Sequence, residues 1–331
     1  MIASGELDEA EGALAEAREA ADAAGDQEAL ALVLGDGDAL LRQAAGDLVG
    51  ALEALQDAAP ILERFGAFQA PLVHHSGARV SLALGRVEAA LDWLSRGEVA
   101  VAESSANFVT PALAATRAHL DALSLDATGS QEQRERALAG LGLPLGDFQA
   151  SPVWADLAFA SAEYGRWDDV EADATLGLEA SSSTRFWERP RLLAAAALAA
   201  VERADTDRAS ELVHEADAYV RQRRMRIFLP LLGYVSAVVT RAAGDLVAAE
   251  REAAAAETGA IEMGMRILAC DVAGLRAEVA ETSGHGNPTE HRLRQASIGD
   301  DIVAGISDPR LADRLVLRLH ASATARPGPT A

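Results

Sequence analysis

The most concentrated positive charge in the sequence is a group of four arginines, Arg221, Arg223, Arg224 and Arg226. Guanidinium groups bind phosphate and carboxylate groups through paired hydrogen bonds, so the cluster is a candidate site for an anion or an acidic partner. A second interpretation is that these residues end a helix, where cations complement the partial negative charge of the last carbonyl groups. Both interpretations stay open at this point.

The histidines offer few combinations that could bind a metal. His74 and His75 are adjacent, and successive residues of a helix point about 100° apart, so they do not easily share an ion. His285, Glu290 and His291 flank a Gly/Pro turn, but no fourth ligand lies near them in the sequence. The chain has no lysine, and the common hydrolase and zinc motifs are absent. We therefore predict no metal, no cofactor and no catalytic site.

One phrase of the sequence recurs with a period of about 40 residues. Its clearest copy, Gly244-Asp-Leu-Val-Ala-Ala249, indicates a turn followed by a helix with small or apolar residues on one face. Similar phrases predict turns at residues 5, 46, 85, 165, 204 and 244. The same period predicts a degenerate turn near Leu125 and a further turn at Gly284. A period of this length is typical of helical solenoids, in which each unit packs on its neighbours.

Prolines mark where the first helix of each pair begins, because proline suits the first turn of a helix. Pro71, Pro111, Pro190 and Pro230 each precede a turn position by 14 residues, and Pro152 precedes one by 13. The predicted pairs are 71–84 with 86–105, 111–124 with 130–142, 151–164 with 166–181, 189–203 with 205–225, and 230–243 with 245–259.

Further helices complete a predicted single domain over residues 1–321, with about seven helix pairs. A half repeat at 5–25 and a helix at 27–45 come first, and Gly35 and Gly37 are expected to kink the latter. Helices at about 263–282, 288–304 and 308–321 follow, and 322–331 is predicted to be a disordered tail. The unpaired half repeat either caps the solenoid with its acidic face, or marks a piece of something longer and a surface for self-association.

The phrase Gly-Asp-Leu-x-x-Ala resembles the second helix of a tetratricopeptide repeat. Small residues also occupy the tight-packing position of the first helix, seven residues before a turn, at Ala78, Ala158, Ala197, Ala237 and Ala277. The resemblance implies an all-α, right-handed solenoid of antiparallel helix pairs. The period exceeds the roughly 34 residues of the standard repeat. It is more similar to the long repeats of large bacterial regulators, such as maltose-activator-like transcription factors and some class III adenylate cyclases.

In that family the first helices line a concave inner wall, and helical spacing then selects the side chains that face inward. The candidate binding residues are His75, Arg79, His119, Phe159, Arg191, Tyr234 and Arg241. A stripe of arginine, histidine and aromatic side chains suits an anionic ligand or an extended peptide. Packing between repeats is the alternative role for several of them. Trp154, Trp167 and Trp187 are expected to belong to the core.

Composition limits the range of partners. The net charge of -22 repels nucleic acid, which argues against DNA or RNA binding. The single cysteine, Cys270, is expected to be a buried small hydrophobe. No stretch is long and apolar enough to span a membrane, and the first residues lack the features of a signal peptide. We therefore expect a cytoplasmic location and no membrane contact.

These observations predict a non-catalytic scaffold or regulatory module that presents a concave groove to a peptide or partner domain. The alternative is a small-molecule-sensing repeat domain of a bacterial signalling or transcription regulator. The two differ in an observable way. A scaffold requires one broad groove without a buried titratable cluster, whereas a sensor requires a closed pocket with convergent polar groups.

Overall fold

A computed structural model describes residues 7–142, 149–181 and 187–321, and within these ranges the chain is helical without strands. These described ranges contain sixteen α-helices, with the segments from Gln27 to Ala45 counted as one. Their bounds are α1 (Leu7–Ala24), α2 (Gln27–Leu32, a π-helical turn Val33–Asp38, and Ala39–Ala45), α3 (Leu48–Phe65), α4 (Ala70–Ala83), α5 (Val87–Ser104), α6 (Thr110–Leu123), α7 (Ala127–Leu141), α8 (Ala150–Glu163), α9 (Trp167–Ser181), α10 (Arg189–Glu202), α11 (Thr206–Gln222), α12 (Leu229–Ala242), α13 (Leu246–Glu262), α14 (Arg266–Ser283), α15 (Pro288–Val303) and α16 (Pro309–Leu319). The predicted all-α class is confirmed for this part of the chain.

The predicted turn positions that lie within the described residues take the left-handed backbone conformation. Residues 46, 85, 125, 165, 204, 244 and 284 have φ values between 55° and 89°. Five of them are glycine, which adopts this conformation without steric cost, whereas Leu125 and Ala204 show the same backbone in less favourable residue types. The predicted turn at residue 5 lies outside the described residues.

Aspartates that follow the turns begin the second helices. Asp47 and Asp126 each accept a hydrogen bond at 2.9 Å from the backbone N–H three residues later, and Asp205 and Asp245 do the same at 3.1 and 3.0 Å. Such N-caps satisfy a backbone donor that the helix leaves unpaired. The cap at Asp126 lets α7 begin at Ala127, so the predicted start of this helix at 130 is wrong.

The helices alternate between inner and outer positions. Each even-numbered helix from α4 to α14 packs on the odd-numbered helix that follows it, and successive even-numbered helices also contact one another. The five alanines predicted at tight-packing positions, Ala78, Ala158, Ala197, Ala237 and Ala277, are all 0% exposed. Small side chains therefore lie where the helices approach most closely.

The glycines of α2 allow three other helices, α1, α3 and α4, to approach it. The helix continues through Gly35 and Gly37 as a π-helical turn, which is the form that the predicted irregularity takes. A Cβ atom on Gly35 would lie 2.9 Å from Ala58 and Val73, and one on Gly37 would lie 2.1 Å from Leu14 of α1. The α1 helix also buries Ala10 and Ala21, while most of its other side chains are exposed.

The last helices return to the first ones. Ile302 of α15 and Leu311, Leu315 and Leu319 of α16 share one buried cluster with residues of α2 to α6. The α14 helix contacts α4, and the short 3₁₀ turn Arg226–Phe228 contacts α2. The row of helices thus closes on itself. No described helix combines the length and the apolar character needed to cross a bilayer.

Candidate functional site

The even-numbered helices supply most of the residues that line a central cavity of about 460 Å³. Along α6, α8, α10, α12 and α14 the lining residues are spaced three, four or seven apart, which is the spacing that places side chains on one face. On α6 these are Thr116, His119 and Leu123, and α8 contributes Asp156, Phe159 and Glu163 at corresponding positions.

Six of the seven predicted groove residues line this cavity, namely Arg79, His119, Phe159, Arg191, Tyr234 and Arg241. The seventh, His75, is buried behind the wall, where its Nε2 lies 3.0 Å from the hydroxyl of Thr116. The structure thus brings most of the predicted stripe to one surface. That these residues bind a ligand remains a prediction.

The arginines of the stripe are paired with carboxylates. Arg79 donates two hydrogen bonds to Glu188, at 2.7 and 3.0 Å. Arg191 donates to Glu188 at 2.9 Å and to Asp156 at 2.7 Å, and Arg241 is bonded to Glu278. Glu188 immediately precedes α10 and is 109 residues from Arg79, so the first pair connects distant repeats. All three arginines of the predicted stripe therefore already have carboxylate partners.

A chain of polar side chains extends this ion network along the wall. The Thr116 hydroxyl donates to Asp156 at 2.5 Å and is contacted by His75 Nε2. Burial alone raises the pKa of a carboxyl group, but Arg191 and Arg79 outweigh burial and hold the pKa of Asp156 well below its usual value. The same balance of burial against Arg79 and Arg191 lowers the pKa of Glu188. Both carboxyl groups are thus ionised at neutral pH.

A second ion network comes from the far end of the chain. Arg318 of α16 donates to Glu163 at 3.0 and 2.8 Å and to Asp271 at 2.5 and 3.0 Å. Its side chain is 4% exposed, and those of Glu163 and Asp271 are 6% and 18% exposed. Burial disfavours the charged guanidinium, yet these two carboxylates raise the pKa of Arg318 well above its usual value. Arg318 therefore ties α16 to α8 and α14 at the cavity.

His119 lies between the two networks. Burial lowers the pKa of its imidazole to about 4. Asp156 and Glu163 raise this pKa without restoring it, whereas Arg191 and Arg318 lower it. The imidazole is consequently neutral at physiological pH, with one donor and one acceptor nitrogen. It makes no hydrogen bond to another described residue, and its ring centre lies 6.0 Å from that of Phe159. This side chain is thus available to a ligand.

Aromatic and aliphatic side chains form much of the remaining wall. Trp187 packs edge-on against Phe228 with 5.7 Å between ring centres, and both line the cavity with Trp167, Leu198 and other apolar residues. The expectation that the tryptophans belong to the core alone is correct for Trp154, which packs against the α6–α8 cluster. It is incomplete for Trp167 and Trp187.

Some wall residues escaped the sequence argument. Thr116 and Asp156 lie three positions before His119 and Phe159, so helical spacing extended by one turn could have found them. Arg318 had no such signal, because α16 follows the last repeat and reaches the cavity only through the closure of the chain.

The other sequence candidates lie elsewhere. Arg221, in the last turn of α11, pairs with Asp217 at 2.6 Å, and Arg223 stacks at 4.1 Å from the ring centre of Tyr219. Arg224 and Arg226 follow the helix on an exposed turn. This arrangement agrees with a helix-ending role for Arg221, and an anion site remains a hypothesis.

The remaining histidines and the cysteine occupy separate surroundings. His285 and Glu290 are exposed, and among the described residues no three His, Cys, Asp or Glu side chains are arranged to hold a metal ion. Cys270 is buried, as predicted, and burial raises the pKa of its thiol to about 12.

Comparison with models of protein families finds no match to this chain, and comparison with curated proteins finds none either. The cavity itself therefore supplies the argument for function.

Proposed function

We propose that this chain is a non-catalytic helical-repeat domain that binds a small organic molecule in its central cavity, which is the sensor alternative raised by the sequence. The observation that carries the proposal is the cavity of about 460 Å³, within the range of roughly 300–1,000 Å³ that small-molecule sites occupy. Its wall combines an apolar surface with a few convergent polar groups, as such sites do.

The proposed architecture is a right-handed tetratricopeptide-like solenoid. The inner helices begin at Ala70, Thr110, Ala150, Arg189 and Leu229, a spacing of 39 or 40 residues that supports the repeat length. Membership in the family of long-repeat bacterial regulators is part of the same proposal and rests on the resemblance alone. A ligand that contacts several inner helices at once is expected to stabilise the closed arrangement and thereby to alter how the domain meets its partners.

A scaffold that presents its groove to an acidic peptide is the competing hypothesis. It calls for inward-facing arginines that are free to bind carboxylates. Arg79, Arg191 and Arg241 already have carboxylate partners. The small-molecule proposal needs no such exchange of partners, and we therefore prefer it.

Naphthylmethanol is a suitable probe for the cavity. At about 0.4 kcal/mol for each of its roughly 12 heavy atoms, we expect a Kd of about 0.1–1 mM by calorimetry. The variant Leu198→Trp places a larger ring in the cavity and should weaken binding at least ~10-fold. Val247→Trp is the matched control, because Val247 is 77% exposed on the outer helix α13.

Two results contradict the proposal. One is that the unmodified protein binds neither naphthylmethanol nor its charged and apolar naphthalene analogues. The other is equal binding by Leu198→Trp and the unmodified protein, which places the probe outside the cavity.

A further inference from the structure

The paired arginines that line the cavity limit the charge of its ligand. The guanidinium groups of Arg79, Arg191 and Arg318 are bonded to carboxylates on neighbouring or distant helices. Their side chains are 23%, 13% and 4% exposed, so these ion pairs are largely removed from water. An anion or a cation that entered this site would have to leave its own hydration and compete with existing partners. An uncharged ligand avoids both costs.

The polar group of the ligand is indicated by His119. Its neutral imidazole faces the cavity, and no described residue hydrogen-bonds to it. A neutral imidazole offers a donor at one nitrogen and an acceptor at the other, and either nitrogen can face the ligand. A hydroxyl group both donates and accepts, so it can pair with whichever nitrogen faces it. A carbonyl oxygen, by contrast, can pair only with the N–H.

The body of the ligand is indicated by the rings around His119. The ring centre of Phe159 lies 6.0 Å from that of His119, and the Trp187–Phe228 pair and Tyr234 line the same cavity. Aromatic walls bind flat rings through offset or edge-on contacts and through the burial of apolar area. A ring-containing body therefore matches this wall better than a flexible polar chain does.

We infer that the cavity takes an uncharged, ring-containing, largely apolar alcohol or phenol whose hydroxyl group hydrogen-bonds to His119. This inference rests on the proposed small-molecule function and names its ligand class.

Four naphthalene derivatives of similar size test the charge requirement at pH near neutrality. They are naphthylmethanol, naphthylmethylammonium, naphthoate and methylnaphthalene, titrated by calorimetry into the full chain. The alcohol should bind at least ~10-fold more tightly than the ammonium or the carboxylate, which corresponds to one unit in log Kd. Equal or tighter binding of either charged compound overturns the inference while leaving the proposed function standing. A failure of all four compounds to bind overturns the proposed function itself.

The variant His119→Phe tests the hydrogen bond, because it keeps a ring of similar size and removes both nitrogens. The affinity for naphthylmethanol should fall ~5-fold, the ordinary worth of one hydrogen bond, while that for methylnaphthalene should not fall. His285→Phe, at an exposed position, is the matched control and should change neither. Equal losses for both compounds, in a variant that melts like the unmodified protein, overturn the role of His119.

Discussion

A substitution at Arg318 tests whether this side chain holds the last helix, α16, against α8 and α14 in solution. We consider Arg318→Met, which keeps an unbranched apolar stem and removes the guanidinium group. Glu163 and Asp271 then lose the donors that hold them at 2.8 and 2.5 Å. The matched control is Arg314→Met on the same helix, where the guanidinium lies 3.6 Å from Asp126 and both side chains are about two-fifths exposed, at 41% and 36%.

The expected loss differs because of burial. Breaking a buried ion pair by removing one partner costs about 3–5 kcal/mol, since the remaining charge stays desolvated. The Glu163 side chain is 6% exposed, so it meets this condition. An exposed pair contributes about 0–1 kcal/mol, which is the expected loss for Arg314→Met. The two substitutions should therefore differ by about 3 kcal/mol in free energy of unfolding.

Urea denaturation, monitored by circular dichroism, measures that difference in free energy of unfolding. Hydrogen exchange shows which helices are destabilised. In Arg318→Met, the amides of α16 should exchange faster than in the control, because the helix loses its attachment to α8 and α14. If both variants lose less than about 1 kcal/mol and their α16 amides exchange alike, Arg318 does not hold the closed arrangement in solution.

Two further predictions concern pH and packing. Above pH 6.5 His119 is mainly neutral in both the folded and the unfolded chain. As the pH falls from 6.5 to about 4, the unfolded chain protonates this histidine while the folded chain keeps it neutral. The free energy of unfolding therefore falls by on the order of 3 kcal/mol. Between pH 7 and pH 4.5, the His119→Phe variant should therefore lose less free energy of unfolding than the unmodified protein does. Burial also lowers the pKa of His74 to about 4, so His74 should account for much of the loss that remains. An unchanged pH dependence would contradict the burial of the His119 imidazole. Gly177→Ala should destabilise the protein by about 1–3 kcal/mol, because the new Cβ would lie 2.4 Å from Leu192. Gly12→Ala, where nothing lies within 4 Å, should instead stabilise it by up to about 1 kcal/mol through helix propensity, and thermal melting of both variants checks the pair.

Local sequence determined the helices and their turns. The recurring phrase predicts the end of one helix and the beginning of the next, and all seven predicted turns within the described residues take a left-handed backbone conformation. Prolines in the first turns of α4, α6, α10 and α12 mark the other boundaries. These signals involve neighbours in the chain, so no knowledge of distant contacts was needed.

The sequence also predicted which way many side chains point. Helical spacing within a repeat, and the same position in successive repeats, select the residues of one face. This argument placed Arg79, His119 and Phe159 on the inner wall, where they lie. It could not supply their partners. Glu188 reaches Arg79 across 109 residues, and Arg318 reaches Glu163 across 155.

Only the tertiary structure decided that the inner surface surrounds a cavity and that its arginines are paired with carboxylates. Closure depends on a small rotation that each helix pair adds to the last, and on whether the final helices then meet the first. A local pattern specifies each pair well, but small differences in rotation accumulate over seven pairs. The sequence by itself therefore determined many of the residues that face inward within the repeats, while the three-dimensional packing of distant helices determined what they face and brought Arg318 to the same wall.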